Sequence, residues 1–214
     1  MKLFNKAFLT GCDSNHEWIL PWFFKNYKQH NNTPIIFADF GVSAEALEFV
    51  KQNVDDVIDL KQEKVQKWFK KPAAMLNSPS EKTVWIDTDC QVLADISNVF
   101  DLLTPNTLSM CEDKPWISRR KELWHNSGVV GFIGKPHILQ TWAKAIKQNP
   151  AVGDQEVLHS LLNPITKITY INTLPNEYNW LRLQLQDGQD SPNKKVMHWT
   201  GPKGKDIIRS MMNA

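Results

Sequence analysis

A chain of 214 residues is long enough to bury one full hydrophobic core, and a single domain over 1–214 is the reading its length favours. Its composition, 42% apolar and 22% charged with 9 Gly and 12 Pro, excludes disorder, collagen-like repeats and low-complexity sequence. Lys and Arg number 25 against 23 Asp and Glu, so no strong field grips a nucleic-acid backbone, and nucleic acid is not expected as a partner.

The first predicted element is a strand over Ala7–Thr10, followed by an amphipathic helix from Glu17 to His30 with Pro21 in its first turn. A strand over Pro34–Ala38 precedes a helix over Ser43–Gln52 that Ser43 should N-cap. Val57–Leu60 reads as a third strand, Val65–Leu76 as a helix kinked at Pro72, and Thr83–Asp87 as a fourth strand. Further strands are expected near Thr107–Cys111, Val129–Ile133, Ile168–Ile171 and Val196–Trp199, with helices near Pro136–Gln148 and Asp154–Leu162. Alternating strands and helices imply the α/β class, with a mostly parallel sheet and a ligand crevice at the carboxyl ends of its strands. Thr10 to Asp13, Asp39 and Asp87 to Asp89 follow strands and should share that rim. No linker separates the halves and no internal repeat is present.

No apolar run approaches bilayer length, and the short one from Ala7 to Cys12 ends at Asp13. Cys12, Cys90 and Cys111 are an odd, widely spaced set without metal-cluster spacing. A reducing, cytoplasmic setting is therefore expected.

Chemistry concentrates where the apolar strand Val84-Trp85-Ile86 runs into Asp87-Thr88-Asp89. Strand alternation puts both carboxylates on one side, where their repulsion asks for a divalent cation with oxygen ligands, as in a metal–diphosphate site. Taken alone such a pair is more often a loop or capping feature. Three patches supply context: Asn126-Ser127-Gly128 before an apolar run, Gly153-Asp154-Gln155-Glu156 opening a helix, and His198-Trp199-Thr200-Gly201-Pro202-Lys203 after a strand.

In this order the motifs resemble the metal-dependent glycosyltransferases of the GT-A fold, closest to the retaining glycosyltransferase family 8. Phe8–Asp13 is similar to that family's first strand and nucleotide loop, and Val84–Leu93 to its metal-binding strand. Asn126–Val129 is similar to its NSG strand, Asp154-Gln155 to its DQ pair, Leu174–Asn179 to its LPxxYN turn, and His198 with Gly201 to its HxxGxxK end. The resemblance implies one GT-A domain: a Rossmann-like, mostly parallel sheet with helices on both faces. Residues 1–90 would form the nucleotide-binding half and 91–214 the donor-sugar and acceptor half.

The same resemblance implies that Asp87, Asp89 and His198 hold Mn²⁺, with Mg²⁺ as a second choice, and that Thr88 lies in the donor site between the two carboxylates. Thr10, Gly11 and Asp13 would line the nucleotide pocket, since Gly11 permits close backbone approach and Asp13 accepts hydrogen bonds from a uracil or ribose. Lys71 is a candidate for sugar or phosphate contact. Asn126, Asp154 and Gln155 would meet the donor sugar near its anomeric carbon, the last two as transition-state stabilisers. Gly204 stands where the family has its final lysine, so Lys203 or Lys205 would reach the diphosphate beside Gly201, with Lys203 taken as the displaced catalytic lysine. Thr200 to Lys205 are expected as a loop that closes over the diphosphate when donor is bound. The expected reaction moves a hexose or deoxyhexose from a UDP-sugar to a glycan or other hydroxyl acceptor with retention. Alternatives are a nucleotidyltransferase, which would want a basic, glycine-rich loop after the first strand, and a non-catalytic nucleotide-sugar- or glycan-binding module, against which intact Asp87, Asp89 and His198 weigh. Among nine Trp, Trp18, Trp22, Trp68, Trp85 and Trp142 fit a core pattern. Trp116, Trp124, Trp180 and Trp199 lie near site segments and are candidates for acceptor contact.

Overall fold

The computed structural model describes residues 3–65, 67–148 and 153–213. Its strands are β1 (Phe4–Cys12), β2 (Ile35–Asp39), β3 (Asp56–Asp59), β4 (Ser80–Ile86), β5 (Cys90–Val92), β6 (Leu108–Glu112), β7 (His125–Ile133), β8 (Ile171–Leu174), β9 (Trp180–Leu181) and β10 (Val196–His198). Seven of them form the central sheet in the order β3-β2-β1-β4-β7-β6-β8, and β5-β10-β9 form a small second sheet. Strands β3, β2, β1 and β4 pair in parallel, while β7 runs antiparallel to both β4 and β6.

The strands are buried on both faces, and the side-chain period of two divides them between two cores. Phe8, Phe37, Val84 and Ile86 pack on one side with α1 (Leu20–His30) and α2 (Ala44–Lys51). Leu9, Ile36, Ala38 and Trp85 pack on the other, with α3 (Lys71–Leu76) and, later in the chain, Leu139, Trp142 and Leu158. Helices thus cover both faces. Ser43 caps α2 by accepting from the Ala46 amide at 3.2 Å, and Pro21 sits in the first turn of α1.

Three expectations are corrected. Pro72 does not kink a longer helix: a 3₁₀ turn over Lys67–Lys70 ends where α3 begins, and Pro72 occupies its first turn, where a missing amide proton costs nothing. Gln66, inside the expected helix, lies outside the described residues. The strand expected over Ile168–Ile171 starts only at Ile171, because Asn163 accepts from the Ile165 and Thr166 amides and Pro164 starts a helix over Pro164–Tyr170. These start signals override the β-branched composition. The loop expected after His198 is instead a helix, Gly201–Met212, with Pro202 in its first turn. In chain order the remaining helices are α4 (Lys114–Arg120), α5 (His137–Gln148), α6 (Asp154–Ser160), α7 (Pro164–Tyr170), α8 (Arg182–Gln186) and α9 (Gly201–Met212). Among the described residues no helix is long and apolar enough to cross a membrane.

Candidate active site

Strand order turns back between β1 and β4, and a crevice opens outside their carboxyl ends, where such a sheet leaves room for a ligand. This pocket holds about 220 Å³ and is lined by Gly11, Cys12 and Asp13 after β1 and by Asp87, Thr88 and Asp89 after β4. His16, Phe40, Trp68, Lys71, Asp154 and Lys205 complete the wall. Because β7 is antiparallel to β4, its amino end arrives at the same rim, and the Asp87 amide donates to the Gly128 carbonyl at 2.8 Å. Strand β10 pairs His198 with Cys90, which brings the imidazole over the acidic pair.

Lys71 is 2% exposed and holds the centre together. Its Nζ lies 2.9 Å from Asp87 Oδ1 and 3.1 Å from Asp154 Oδ2, and donates to the Ser127 carbonyl at 3.1 Å. Burial alone would lower its pKa, but Asp154 and Asp87 outweigh it and hold the ammonium above the ordinary lysine range. The residue expected to touch a ligand therefore neutralises two carboxylates first. Burial pushes the Asp87 carboxyl up, partly offset by Lys71, while Asp89 is held well below the usual carboxylate range because His198 and Lys205 overcome the cost of its burial. Trp85 Nε1 fixes Asp87 by donating to its Oδ1 at 2.6 Å.

At Asp89, Oδ1 lies 3.2 Å from His198 Nε2, and Oδ2 accepts from Lys205 Nζ at 3.1 Å. His198 Nε2 is also 3.9 Å from Asp87 Oδ2, and its Nδ1 is 3.0 Å from Asn179 Oδ1. One imidazole nitrogen thus lies near a carboxylate oxygen of Asp89 and, less closely, of Asp87, and such oxygen and nitrogen donors suit a divalent cation. Among the described residues, Asp89, Cys90 and His198 bring one ligand atom each within 4.8 Å of one another. Burial, then Asp89 and Asp87, push the Cys90 thiol up from its ordinary range.

The other predicted residues divide. Asp13 lines the pocket, and hydrogen bonds from His16 and Asn15 hold its carboxyl low against the effect of burial. Gly11 also lines it, but a Cβ there would meet the Ala38 carbonyl oxygen at 2.5 Å, so packing of β1 on β2 requires this glycine. Thr10 is fully buried with its hydroxyl unpartnered and does not line the pocket. Asn126 has its amide committed internally: Oδ1 accepts from the Gly128 amide at 2.9 Å and Nδ2 donates to Asp113 at 3.0 Å. Gln155 accepts from the Ser127 amide at 3.1 Å and donates to Asp113 at 3.1 Å, and Asp154 accepts from the Ser127 hydroxyl at 2.8 Å.

The two candidate lysines are placed differently. Lys205 lines the pocket and pairs with Asp89, whereas Lys203 is exposed and lines none of it. With residues 201–212 helical, Lys205 stands one turn into α9 and Gly201, at φ 73°, begins it. Trp68, expected in the core, is 45% exposed at the pocket wall. Trp116 stacks on Trp124 at 5.6 Å between ring centres, away from this wall.

Two residues were missed. Asp113 accepts from Asn126, Gln155 and the Trp116 amide, and Asn179 is fully buried against His198. The Asp-x-Pro-Trp start of α4 offered a capping signal for Asp113, but nothing local joined it to the NSG strand. Gly128 also acquires a reason: a Cβ there would lie 2.2 Å from His198 Cε1.

The fold is of the GT-A type, shared with solved glycosyltransferases. The galactosyltransferase LgtC, solved in complex with donor and acceptor sugar analogues, superposes with a TM-score of 0.62 at 14% identity, covering 95% of each chain. GlyE, a glycosyltransferase in Streptococcus pneumoniae TIGR4, gives a TM-score of 0.69 at 17% identity in its apo form over 98% of this chain and 63% of its own. The bifunctional glycosyltransferase WbbM gives 0.63 at 13% identity, with all of this chain matching 51% of that one. Neither a family model nor a curated protein matches the sequence.

Proposed function

We propose that this protein is a metal-dependent glycosyltransferase that moves a hexose or deoxyhexose from a UDP-sugar to a glycan or other hydroxyl acceptor, with retention at the anomeric carbon. The observation that carries the reading is the placement of Asp87 and Asp89 in the wall of a pocket that Gly11 to Asp13 also line, with His198 Nε2 3.2 Å from Asp89 and 3.9 Å from Asp87. Residues 1–90 hold the nucleotide and residues 91–214 supply the sugar and acceptor side.

In this reading Asp87, Asp89 and His198 hold Mn²⁺, or Mg²⁺, which when bound neutralises charge on the diphosphate as a Lewis acid. Asp13 accepts hydrogen bonds from the nucleoside. Lys205, 3.1 Å from Asp89, brings a cation to the place where the leaving diphosphate gains charge, and contributes most in the transition state. Lys71 cancels charge on Asp87 and Asp154, so the donor's phosphates do not meet an excess of carboxylate. Asp154, on the pocket wall, stabilises positive charge as it develops at the anomeric carbon. Gln155 and Asn126 act by holding Asp113 and Ser127 in place. Release of nucleoside diphosphate from a panel of UDP-, GDP- and TDP-sugars with Mn²⁺ tests this reading. Turnover with UDP-sugars that stops on chelation is the expected result, and no release from any donor contradicts it.

A further inference from the structure

The hydrogen bonds behind His198 admit one arrangement of protons. The Gly128 amide is a fixed donor 2.9 Å from Asn126 Oδ1, and the Asp113 carboxylate is a fixed acceptor 3.0 Å from Asn126 Nδ2. These two neighbours settle which end of the Asn126 amide is oxygen. Asn179 Nδ2 then donates to that oxygen at 2.8 Å, which turns Asn179 Oδ1 toward His198 Nδ1 at 3.0 Å. A carbonyl oxygen only accepts, so Nδ1 carries a proton. Asn179 is 0% exposed, Asp113 2%, His198 4% and Asn126 7%, so water offers no competing partner and breaking one link leaves buried polar atoms unpaired.

We propose that Asn179 is a positioning residue that fixes the tautomer of His198 and so aims a bare Nε2 lone pair at Asp89 and Asp87. A free neutral imidazole favours its proton on Nε2, the opposite tautomer, so this arrangement is imposed by the protein. When the imidazole is charged both nitrogens donate, Nε2 to Asp89 3.2 Å away. When it is neutral the relay keeps the one proton on Nδ1 and leaves the Nε2 lone pair 3.2 and 3.9 Å from the carboxylate oxygens. Only a cation among them makes that arrangement favourable, so the relay prepares a ligand in advance. The chain of bonds also joins the metal side to the sugar side, since Asp113 accepts from both Asn126 and Gln155. The consequence for metal affinity rests on the metal reading above, but the tautomer itself does not.

The test is ¹⁵N NMR of histidine-labelled metal-free protein, at a pH where the imidazole is neutral, combined with Mn²⁺ titration followed by EPR. Wild-type protein should show the His198 proton on Nδ1 and a pyridine-type Nε2. Asn179→Leu should move the proton to Nε2 and weaken Mn²⁺ binding by about 10- to 100-fold, whereas Asn179→Asp, which keeps an acceptor for Nδ1, should retain the tautomer. A wild-type Nε2–H tautomer overturns the proposal without any variant, as does an unchanged tautomer in a folded Asn179→Leu protein. A wild-type Nδ1–H tautomer in a protein that binds no Mn²⁺ upholds the relay and removes the metal reading instead.

Discussion

Lys71 is buried between Asp87 and Asp154, and a cation in that position stabilises the fold only as long as both partners remain. Lys71→Met keeps most of the apolar stem and strands the buried Asp154 and half-buried Asp87 carboxylates, so it should cost about 3 kcal/mol of stability. Denaturant unfolding measures this, and a loss under about 1 kcal/mol would show that the pairs contribute as surface bridges do. Lys205 and Lys203 separate function from position more sharply. Lys205→Ala removes the cation paired with Asp89 and should lower kcat by about 100-fold with a smaller effect on UDP binding. Lys203→Ala, at an exposed position, should leave both nearly unchanged, and the reverse order would return the role to Lys203.

Among elements, α9 decides how Lys205 reaches the site. A Cβ on Gly204 would lie 2.0 Å from the Trp199 carbonyl oxygen, so the first turn packs directly on the strand end that carries His198. Gly204→Ala should therefore cost about 1–3 kcal/mol by overpacking and shift Lys205 away from Asp89, seen as a lower Tm together with reduced turnover. Periodicity made α1, α2, α5 and the strands of the first half legible, because each carries a long apolar pattern or a capping residue such as Ser43. The C-terminal helix was read as a loop because Gly201, Pro202 and Gly204 look like loop composition locally. In the fold Gly201 supplies a left-handed start, Pro202 a first turn and Gly204 a packing contact.

Across the whole molecule, the acidic pair was legible because it follows β4, and strand ends of a parallel sheet share one rim. His198 instead ends β10 of the small second sheet and was legible only from the order of the motifs. The Asp113–Asn126–Asn179 relay was not, since its members lie 13 and 53 residues apart in the chain and meet only through β7's antiparallel course. Distance from the site matters too for acid stability. Burial, then Lys167 and His159, lowers the His125 pKa from 6.5 to about 4. The native state thus stays neutral at this residue while the unfolded chain takes up a proton below pH 6.5, so stability is full above that pH and is lost progressively as pH falls toward 4. At about 1.4 kcal/mol per unit the effect is a few kcal/mol, and His125→Gln should flatten that part of the Tm-versus-pH curve.

The central claim is that Asp87, Asp89 and His198 present a cation to the diphosphate of a nucleotide-sugar. Calorimetric titration of UDP into the protein with Mn²⁺ and after chelation tests it most directly. The account predicts measurable binding with Mn²⁺ and loss of that binding on chelation in a protein that stays folded. Equal UDP affinity in both conditions would contradict it.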